Sequence, residues 1–408
     1  MEKILSKKSI LIVSEYFYPE EFKINEVALE WKKKGYSVDV LTTVPTYPES
    51  KVYDGYENKL YQKENYDGIN IYRVKAVTGY KTSLVKKLLK YFSFMFFATF
   101  VALKITKKYD YIFGFDVGAL TAMFPAIIAK KFYKKRVVLW ILDIWPDSVY
   151  AYGFKKTKVL SFLLDRFVSF IYNNSSALAI SSQGFQEKIT PYLKRRREIL
   201  YAPNWADKLD ESYQQFSFSQ DEKVHFTFAG NIGTVQNLDN IIKAFGYIDK
   251  NLFQRAQLNI IGDGSYLEEL KLLVKKEKIS NVVFWGRKPR KEMQRYFQAS
   301  DFLIVSLIDK PIFSLTVPAK VQTYIAAKKP IIAILEGDAA KIVEENYLGF
   351  SVKPNDLDAI KNVFVKSIEL SEDEKEVFIK NSQKLSETTF NKEKIIDKLL
   401  ALTVGDRK

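Results

Sequence analysis

Apolar residues in this chain come in short blocks separated by polar segments with helical spacing, and the blocks run in two series. In the first half, Ser9–Ser14 (SILIVS) is a continuous apolar run of the kind that forms a strand buried on both faces. Ile24–Lys34 follows with helical spacing, and Gly35 is placed to cap it. Further strand-like runs are Val38–Leu41, Ile69–Val74, Tyr111–Phe115, Val137–Ile141, Ala177–Ser181 and Glu198–Tyr201. The second half repeats the scheme with Phe226–Ala229, Leu258–Ile261, Val282–Phe284, Phe302–Ser306 and Ile331–Ile334. Between these runs, Leu238–Phe245, Tyr266–Lys278, Glu292–Ala299 and Lys320–Ala327 have helical spacing, and the charged stretch 371–403 is helical as well. Such alternation predicts an α/β chain with two Rossmann-like, doubly wound domains, each a parallel sheet covered on both faces. Residues 205–222 are polar and lack apolar periodicity, which makes them the expected linker. The expected domains are therefore 1–204 and 223–385, with 386–408 a C-terminal helix able to pack back on the first domain. Ligands in this architecture bind in a cleft beyond the carboxyl ends of the strands, so functional residues are sought just after strands.

One segment stands apart. Tyr91–Leu103 (YFSFMFFATFVAL) has only Ser93 and Thr99 as polar breaks. It is shorter than the roughly 20 residues that a spanning helix needs. Lys86, Lys87 and Lys90 precede it, and Lys104, Lys107 and Lys108 follow. Two readings are open: an interfacial helix whose lysines meet anionic headgroups, or a core helix between strands.

Charge sharpens the first reading. The chain carries 63 Lys+Arg against 48 Asp+Glu, a net +15, and residues 81–136 hold twelve of the cations with only Asp110 and Asp116 in opposition. That balance suits nucleic acid, acidic lipid or a phosphorylated substrate. The basic residues flank apolar runs rather than an exposed aromatic platform, which argues against nucleic acid. The chain has no cysteine and a single histidine, His225, which reads as structural. Disulfides, thiolate zinc sites, cysteine nucleophiles and multi-histidine metal clusters are thereby excluded. The N-terminus lacks the long apolar stretch and cleavage site of a secretory signal, so a cytoplasmic location is expected.

The candidate chemistry follows strands. Phe228–Asn237 (FAGNIGTVQN) leads into a helix, where Gly230 and Gly233 would let backbone N–H groups approach a phosphate and Asn231 and Gln236 could add neutral donors. Ser314–Lys320 (SLTVPAK) places Pro318 before a helix and Lys320 in its first turn, where the helix dipole disfavours a cation. An anion at the same place would account for that lysine, with Ser314 and Thr316 as hydroxyl donors; a solvated lysine is the plain alternative. Gly262-Asp263-Gly264 and Gly286-Arg287 point to the same edge, although Asp263 could simply cap the next helix. In the first half, Asp143 to Asp147 (DIWPD) offers Asp143 to a sugar or acceptor hydroxyl and Trp145 as a stacking wall; the alternative is a turn in which an aspartate binds backbone amides. Tyr16–Glu21 and Thr46–Pro48 are aromatic loops at the same mouth. No strand ends in an Asp-x-Asp pair fit to hold a divalent ion; Asp356-Leu357-Asp358 sits at a helix start and reads as capping.

These motifs together resemble the GT-B-fold, retaining glycosyltransferases of family 4. The likeness is carried by YFYPE at 16–20, GYSVDVLTTV at 35–44, DIWPDS at 143–148, YAPNWAD at 201–207, GNIGTVQ at 230–236 and VPAKVQTYIAAKKPIIA at 317–333. Within the family the chain looks most like bacterial transferases of O-antigen or capsule synthesis that handle N-acetyl-fucosamine-type sugars. The resemblance implies a nucleotide-sugar donor, a UDP-sugar, and no cofactor or metal. It implies a polyprenyl-diphosphate-linked saccharide acceptor, and a place on the inner leaflet of the plasma membrane. Taken with the residue readings above, it points to Lys320 and Asp143 for catalysis and to Gly230, Asn231, Gly233, Gln236, Gly262, Gly286, Arg287, Ser314, Leu315, Thr316, Val317 and Thr323 for the donor. Tyr18, Glu20, Tyr47 and Trp145 fall to the acceptor. There are departures. Asn231 and Gln236 stand where many members carry Arg and Lys, Leu315 and Thr323 where many carry two glutamates, and the histidine common near Phe115–Asp116 is absent. Lys320 is accordingly expected to supply most of the phosphate neutralisation, and an inactive relative serving as a partner subunit is the competing reading.

Overall fold

The computed structural model describes residues 8–81, 83–151, 153–206, 213–218 and 222–405. Residues 207–212 and 219–221 of the expected linker, Asp207 among them, lie outside the described residues, as do 406–408. The chain divides into two compact units, Met1–Pro203 with Glu393–Lys408, and Asn204–Lys392.

The first unit is built on an eight-stranded sheet. Its strands are β1 (Ser9–Ser14), β2 (Ser37–Thr43), β3 (Tyr61–Tyr66), β4 (Ile69–Val74), β5 (Tyr111–Asp116), β6 (Arg136–Ile141), β7 (Ala177–Ile180) and β8 (Ile199–Tyr201), in the order β3-β4-β2-β1-β5-β6-β7-β8. Its helices are α1 (Lys23–Lys33), α2 (Leu84–Ile105), α3 (Phe124–Tyr133), α4 (Asp147–Ala151), α5 (Lys158–Asn174) and α6 (Phe185–Ile189). Central β1, β5 and β6 bury apolar side chains on both faces, as their unbroken runs require. The sheet is not wholly parallel, contrary to the pattern-based expectation: β3 pairs antiparallel with β4. Its sequence, YQKENY, carries no apolar run because it is an edge strand whose residues are all exposed or half-buried.

The second unit has six parallel strands, β9 (Val224–Ala229), β10 (Ala256–Ile261), β11 (Val282–Gly286), β12 (Phe302–Ser306), β13 (Ile331–Ile334) and β14 (Gly349–Val352), ordered β11-β10-β9-β12-β13-β14. Its helices are α7 (Leu238–Gly246), α8 (Lys250–Gln254), α9 (Leu267–Lys276), α10 (Met293–Gln298), α11 (Pro311–Ser314), α12 (Ala319–Ala326), α13 (Asp338–Glu345), α14 (Leu357–Glu369) and α15 (Glu372–Glu387). The strand order reverses between β9 and β12, so the loops leaving these two strands diverge and open a crevice at the carboxyl edge. β14 is a four-residue edge strand that pattern alone did not reveal.

The C-terminal stretch is two helices, not one. α15 stays with the second unit, and α16 (Lys392–Val404) packs on the first. There the Trp31 indole donates to the Ile396 carbonyl at 3.2 Å, Arg136 donates to the Leu402 carbonyl at 3.0 Å, and Lys34 pairs with Asp397 at 2.8 Å.

The apolar segment Tyr91–Leu103 also extends further than its composition suggested. It lies within the 22-residue α2, and Val85–Lys108 is, among the described residues, the one helix long and apolar enough to cross a membrane. The lysines that seemed to bound it lie within or beside the helix. Lys90 is not a headgroup lysine: it is buried and pairs with Glu15 at 3.1 Å.

Leu399 of α16 is fully buried. Leu399→Ala should destabilise the first unit by about 2–5 kcal/mol, read as an earlier urea transition with a changed tryptophan signal from Trp31. An unchanged midpoint would mean that α16 does not belong to that core.

Candidate active site

The crevice of the second unit holds a cavity of about 880 Å³. Its floor is the turn after β9 (Ala229, Gly230, Asn231) and the turn after β10 (Ile261 to Gly264). Arg287, Lys288 and Arg290 after β11 form one rim, and Ala319, Lys320, Thr323 and Tyr324 of α12 form another. Four cations line it against one acid, Asp263.

Three glycines let these turns approach. A Cβ on Gly262, where φ is +147°, would lie 1.8 Å from the Gly230 carbonyl oxygen, and one on Gly264 would lie 2.2 Å from the Ile232 carbonyl oxygen. Gly230, at φ +141°, is held open from the other side: a Cβ there would meet the Lys320 ammonium at 2.8 Å. The glycines thus serve first to bring backbone against backbone and to seat a lysine.

Lys320 itself lies at the start of α12, after Pro318. The residue is half-buried, and its ammonium lies 3.5 Å from the centroid of the Phe228 ring. Burial lowers its pKa to about 7, with no carboxylate contributing. The ring offers a cation–π contact, and the helix dipole opposes the charge. This is a cation site short of an anion.

Of the residues assigned to the donor from sequence, Gly230, Asn231, Gly262, Arg287 and Thr323 line the cavity with Lys320. Gly286 stands directly before Arg287, and its carbonyl accepts from Gly262 N–H at 3.0 Å. The other assigned residues lie outside that lining. Gly233 is buried and Gln236 turns back to accept its N–H at 2.9 Å, so this pair fixes the loop from within. The N–H groups of Gly230 and Ile232 donate to the carbonyls of Ile261 and Asp263, each at 2.9 Å. The cradle of amides expected over Gly230–Gly233 is therefore largely engaged in joining two turns, and the Asn231 N–H is the one left to the cavity. Ser314 and Thr316 donate their hydroxyls to the carbonyls of Pro311 and Phe313. With Leu315 and Val317 they form the turn before α12, outside the cavity lining. Thr323 donates to the Ala319 carbonyl one helical turn back, at 2.9 Å. Asp263 caps no helix: it accepts from the adjacent Gly264 N–H at 2.8 Å. Lys288 and Arg290 were missed because a run such as RKPRK reads as surface until β11 aims it at the crevice.

The first unit gathers a second constellation at its strand ends. Glu15 follows β1, Asp116 ends β5 and Asp143 follows β6. Neither carboxyl oxygen of the fully buried Asp116 has a hydrogen-bond partner. Burial, then Asp143, then Glu15 push its carboxyl well above the usual range. Asp143 accepts from the Ile144 N–H at 2.9 Å. The acceptor assignments are mostly structural. Trp145 is buried and donates to the Gly118 carbonyl at 2.9 Å, so it is no stacking wall. Glu20 is buried and accepts the N–H groups of Thr46 and Tyr47 at 2.8 and 2.7 Å, clamping two loops; burial raises it to about 7. The Tyr18 ring stacks on Tyr66. Tyr47 alone among the four is exposed, its ring edge resting on Tyr16. Asp143 and Lys320 lie in different units. Among the described residues no group of three or more acids or histidines is placed to hold a metal ion.

Residues 210–385 match the family model described as "Glycosyl transferases group 1". The match falls on the second unit and takes in the residues of the cavity with Lys320. The chain is 28% identical over 263 residues to the probable glycosyltransferase WbjE of Pseudomonas aeruginosa, covering 60% of this chain and 64% of that protein. It is 24% identical over 296 residues to the putative colanic acid biosynthesis glycosyl transferase WcaI of Escherichia coli, covering 68% and 71%. The chain thus spans just under two thirds of the WbjE relative. Among solved structures, a UDP-forming trehalose-phosphate synthase from Burkholderia vietnamiensis superposes with TM-score 0.72 at 10% identity, covering 97% of this chain and 98% of the other. The Anabaena HepE protein in complex with UDP gives TM-score 0.64 at 13% identity, covering 96% and 98%. The fold is GT-B.

An unpaired buried ammonium destabilises the protein that contains it. Below about pH 7 Lys320 is charged in both folded and unfolded states and the full burial cost applies; as pH rises towards the unfolded pKa that cost fades. Lys320→Met should therefore raise the melting temperature by about 2–4 °C at pH 6 and by less at pH 9. A lowered melting temperature at pH 6 would refute the charge-burial reading.

Proposed function

We propose that the chain is a metal-independent, retaining glycosyltransferase that moves a hexose from a UDP-sugar to a polyprenyl-diphosphate-linked saccharide during bacterial surface polysaccharide synthesis. The acceptor places its work at the cytoplasmic leaflet of the plasma membrane. The single observation that carries this reading is Lys320, a buried amine without an anion, seated over Gly230 in a cavity rimmed by Arg287, Lys288 and Arg290. A diphosphate is the ligand class that such a cavity suits. The glycosyl transferases group 1 match over the same residues and the UDP bound by the Anabaena structure of the same fold favour a nucleotide sugar. The colanic acid biosynthesis named for the Escherichia coli relative supports a role in surface polysaccharide synthesis; O-antigen or capsule as the product, and an N-acetylated 6-deoxyhexose as the sugar, are the finer parts of the proposal.

In the proposed reaction the diphosphate lies on the turn after β9, with Lys320 beside it and the Asn231 N–H as a donor. Negative charge grows on the leaving diphosphate as the glycosidic bond breaks, and a cation already in place stabilises that charge without reorganisation. The cations take the part that a divalent ion plays elsewhere. Arg287 and Gly286 border the space for the base. Asp143, at the strand ends of the first unit, meets the acceptor hydroxyl.

Lys320→Ala should cut turnover at saturating donor by about a hundredfold or more while the far-ultraviolet spectrum stays unchanged. Near-wild-type turnover would refute the phosphate role, and transfer by the purified single chain would exclude the inactive-subunit reading. Affinity for a UDP-sugar should be level below about pH 7 and decline above it, because Lys320 must then take up a proton to meet the anion. Lys320→Met should bind weakly with no such decline; a wild-type profile that is flat from pH 6 to 9 would contradict the assignment.

A further inference from the structure

An ordinary crossover helix has one apolar stripe, facing its sheet, and a polar outer face. α2 has two apolar stripes. Phe94, Ala98 and Ala102 are buried against the fold. On the opposite side Leu89, Phe92, Phe96 and Phe100, spaced three to four residues apart, are 52–61% exposed. α2 cannot leave the fold to cross a bilayer alone, because it joins β4 to β5 within one sheet and packs along α3.

The same anomaly recurs on the neighbouring helices. α2, α3 and α5 connect β4 to β5, β5 to β6 and β6 to β7, all in one direction across the sheet, so right-handed crossovers put them on one face. α3 lies in contact with both α2 and α5. Val159, Phe162 and Leu163 of α5 are 70%, 57% and 58% exposed, and Phe132 of α3 is 70% exposed. Of the seventeen large apolar side chains exposed among the described residues, ten lie on these three helices. Scattered exposure is normal, but concentration of this kind marks a docking surface.

Charge selects the occupant. α2 and α3 contain no acidic residue, and α5 contains one, Asp165, which accepts from Tyr192. Lys86, Lys104 and Lys131 are exposed on α2 and α3, and Lys155, Lys156 and Lys158 lead into α5. Phenylalanines with a lysine border and almost no acid fit the interface of an anionic bilayer.

We propose that the outer face of α2, α3 and α5 is a single membrane-docking surface for anionic lipid, with α5 as necessary to it as α2. This deepens the lipid-linked acceptor proposed above, but its test needs no transfer reaction. The full chain should float with vesicles of phosphatidylcholine plus phosphatidylglycerol, and less with phosphatidylcholine alone. Phe162→Glu with Leu163→Glu on α5, and Phe96→Glu with Phe100→Glu on α2, should each lower the bound fraction by about tenfold. These side chains are exposed, so unchanged melting and unchanged stabilisation by UDP would show an intact fold. Should either variant fail to fold, replacing Lys155, Lys156 and Lys158 with Gln should weaken binding to the anionic vesicles and leave the neutral ones as before. Flotation of the α5 variant equal to wild type would overturn the composite surface. So would absence of wild-type binding to both vesicles, or a wild-type dimer that the α5 substitutions convert to a monomer.

Discussion

The structure of the second unit turns on one enclosed amine that has no carboxylate partner. Lys320 is held in the first turn of α12 over the ring of Phe228, with nothing negative beside it. Three features of the fold exist around that amine. Gly230 has no side chain because the ammonium takes the space, and Gly262 has none because the turn carrying Gly230 must lie against it. The strand order reverses at β9 and β12, which places α12 across the crevice from the β9 turn. A protein selected for stability alone would have a methionine or leucine there. A catalyst has reason to hold the amine, because a cation formed there when the diphosphate binds is already in place as the bond breaks.

Much of this could be read from the chain, for identifiable reasons. Central strands such as β1, β12 and β13 are buried on both sides, so their apolar runs mark them within a residue or two. Edge strands escaped: YQKENY and GFSV meet neighbours through backbone hydrogen bonds and leave their side chains half in water. Lys320 could be identified because a cation in a helix's first turn violates the dipole rule. What the loop glycines do could not be read, because a glycine that touches phosphate and one that touches another turn look alike. Only the pairing of Gly230 N–H with Ile261 and of Ile232 N–H with Asp263 separates them. Trp145 and Glu20 misled for a related reason: aromatic and acidic residues after a strand read as ligand-facing, yet here one donates to Gly118 and the other clamps Thr46 and Tyr47.

The first unit shows how burial redistributes roles among similar residues. Of the lysines around α2, Lys90 turns inward to Glu15, and Lys86 and Lys104 stay in water. The Asp116 carboxyl has no hydrogen-bond partner at the end of β5 and is driven by burial towards the neutral form; Asp143 keeps a backbone amide. The sheet's carboxyl edge thus carries acids in unlike environments, and the outer helix face carries aromatic residues in water. Both are features that stability alone does not ask for.

The central claim concerns a proton. Titration calorimetry of UDP-sugar binding at pH 8, in two buffers of different ionisation enthalpy, measures how many protons enter the complex. If the amine of Lys320 is neutral in the free protein and charged beside the diphosphate, wild type takes up about one proton and Lys320→Met takes up none. Equal proton uptake by the two proteins, whether zero or one, would contradict it.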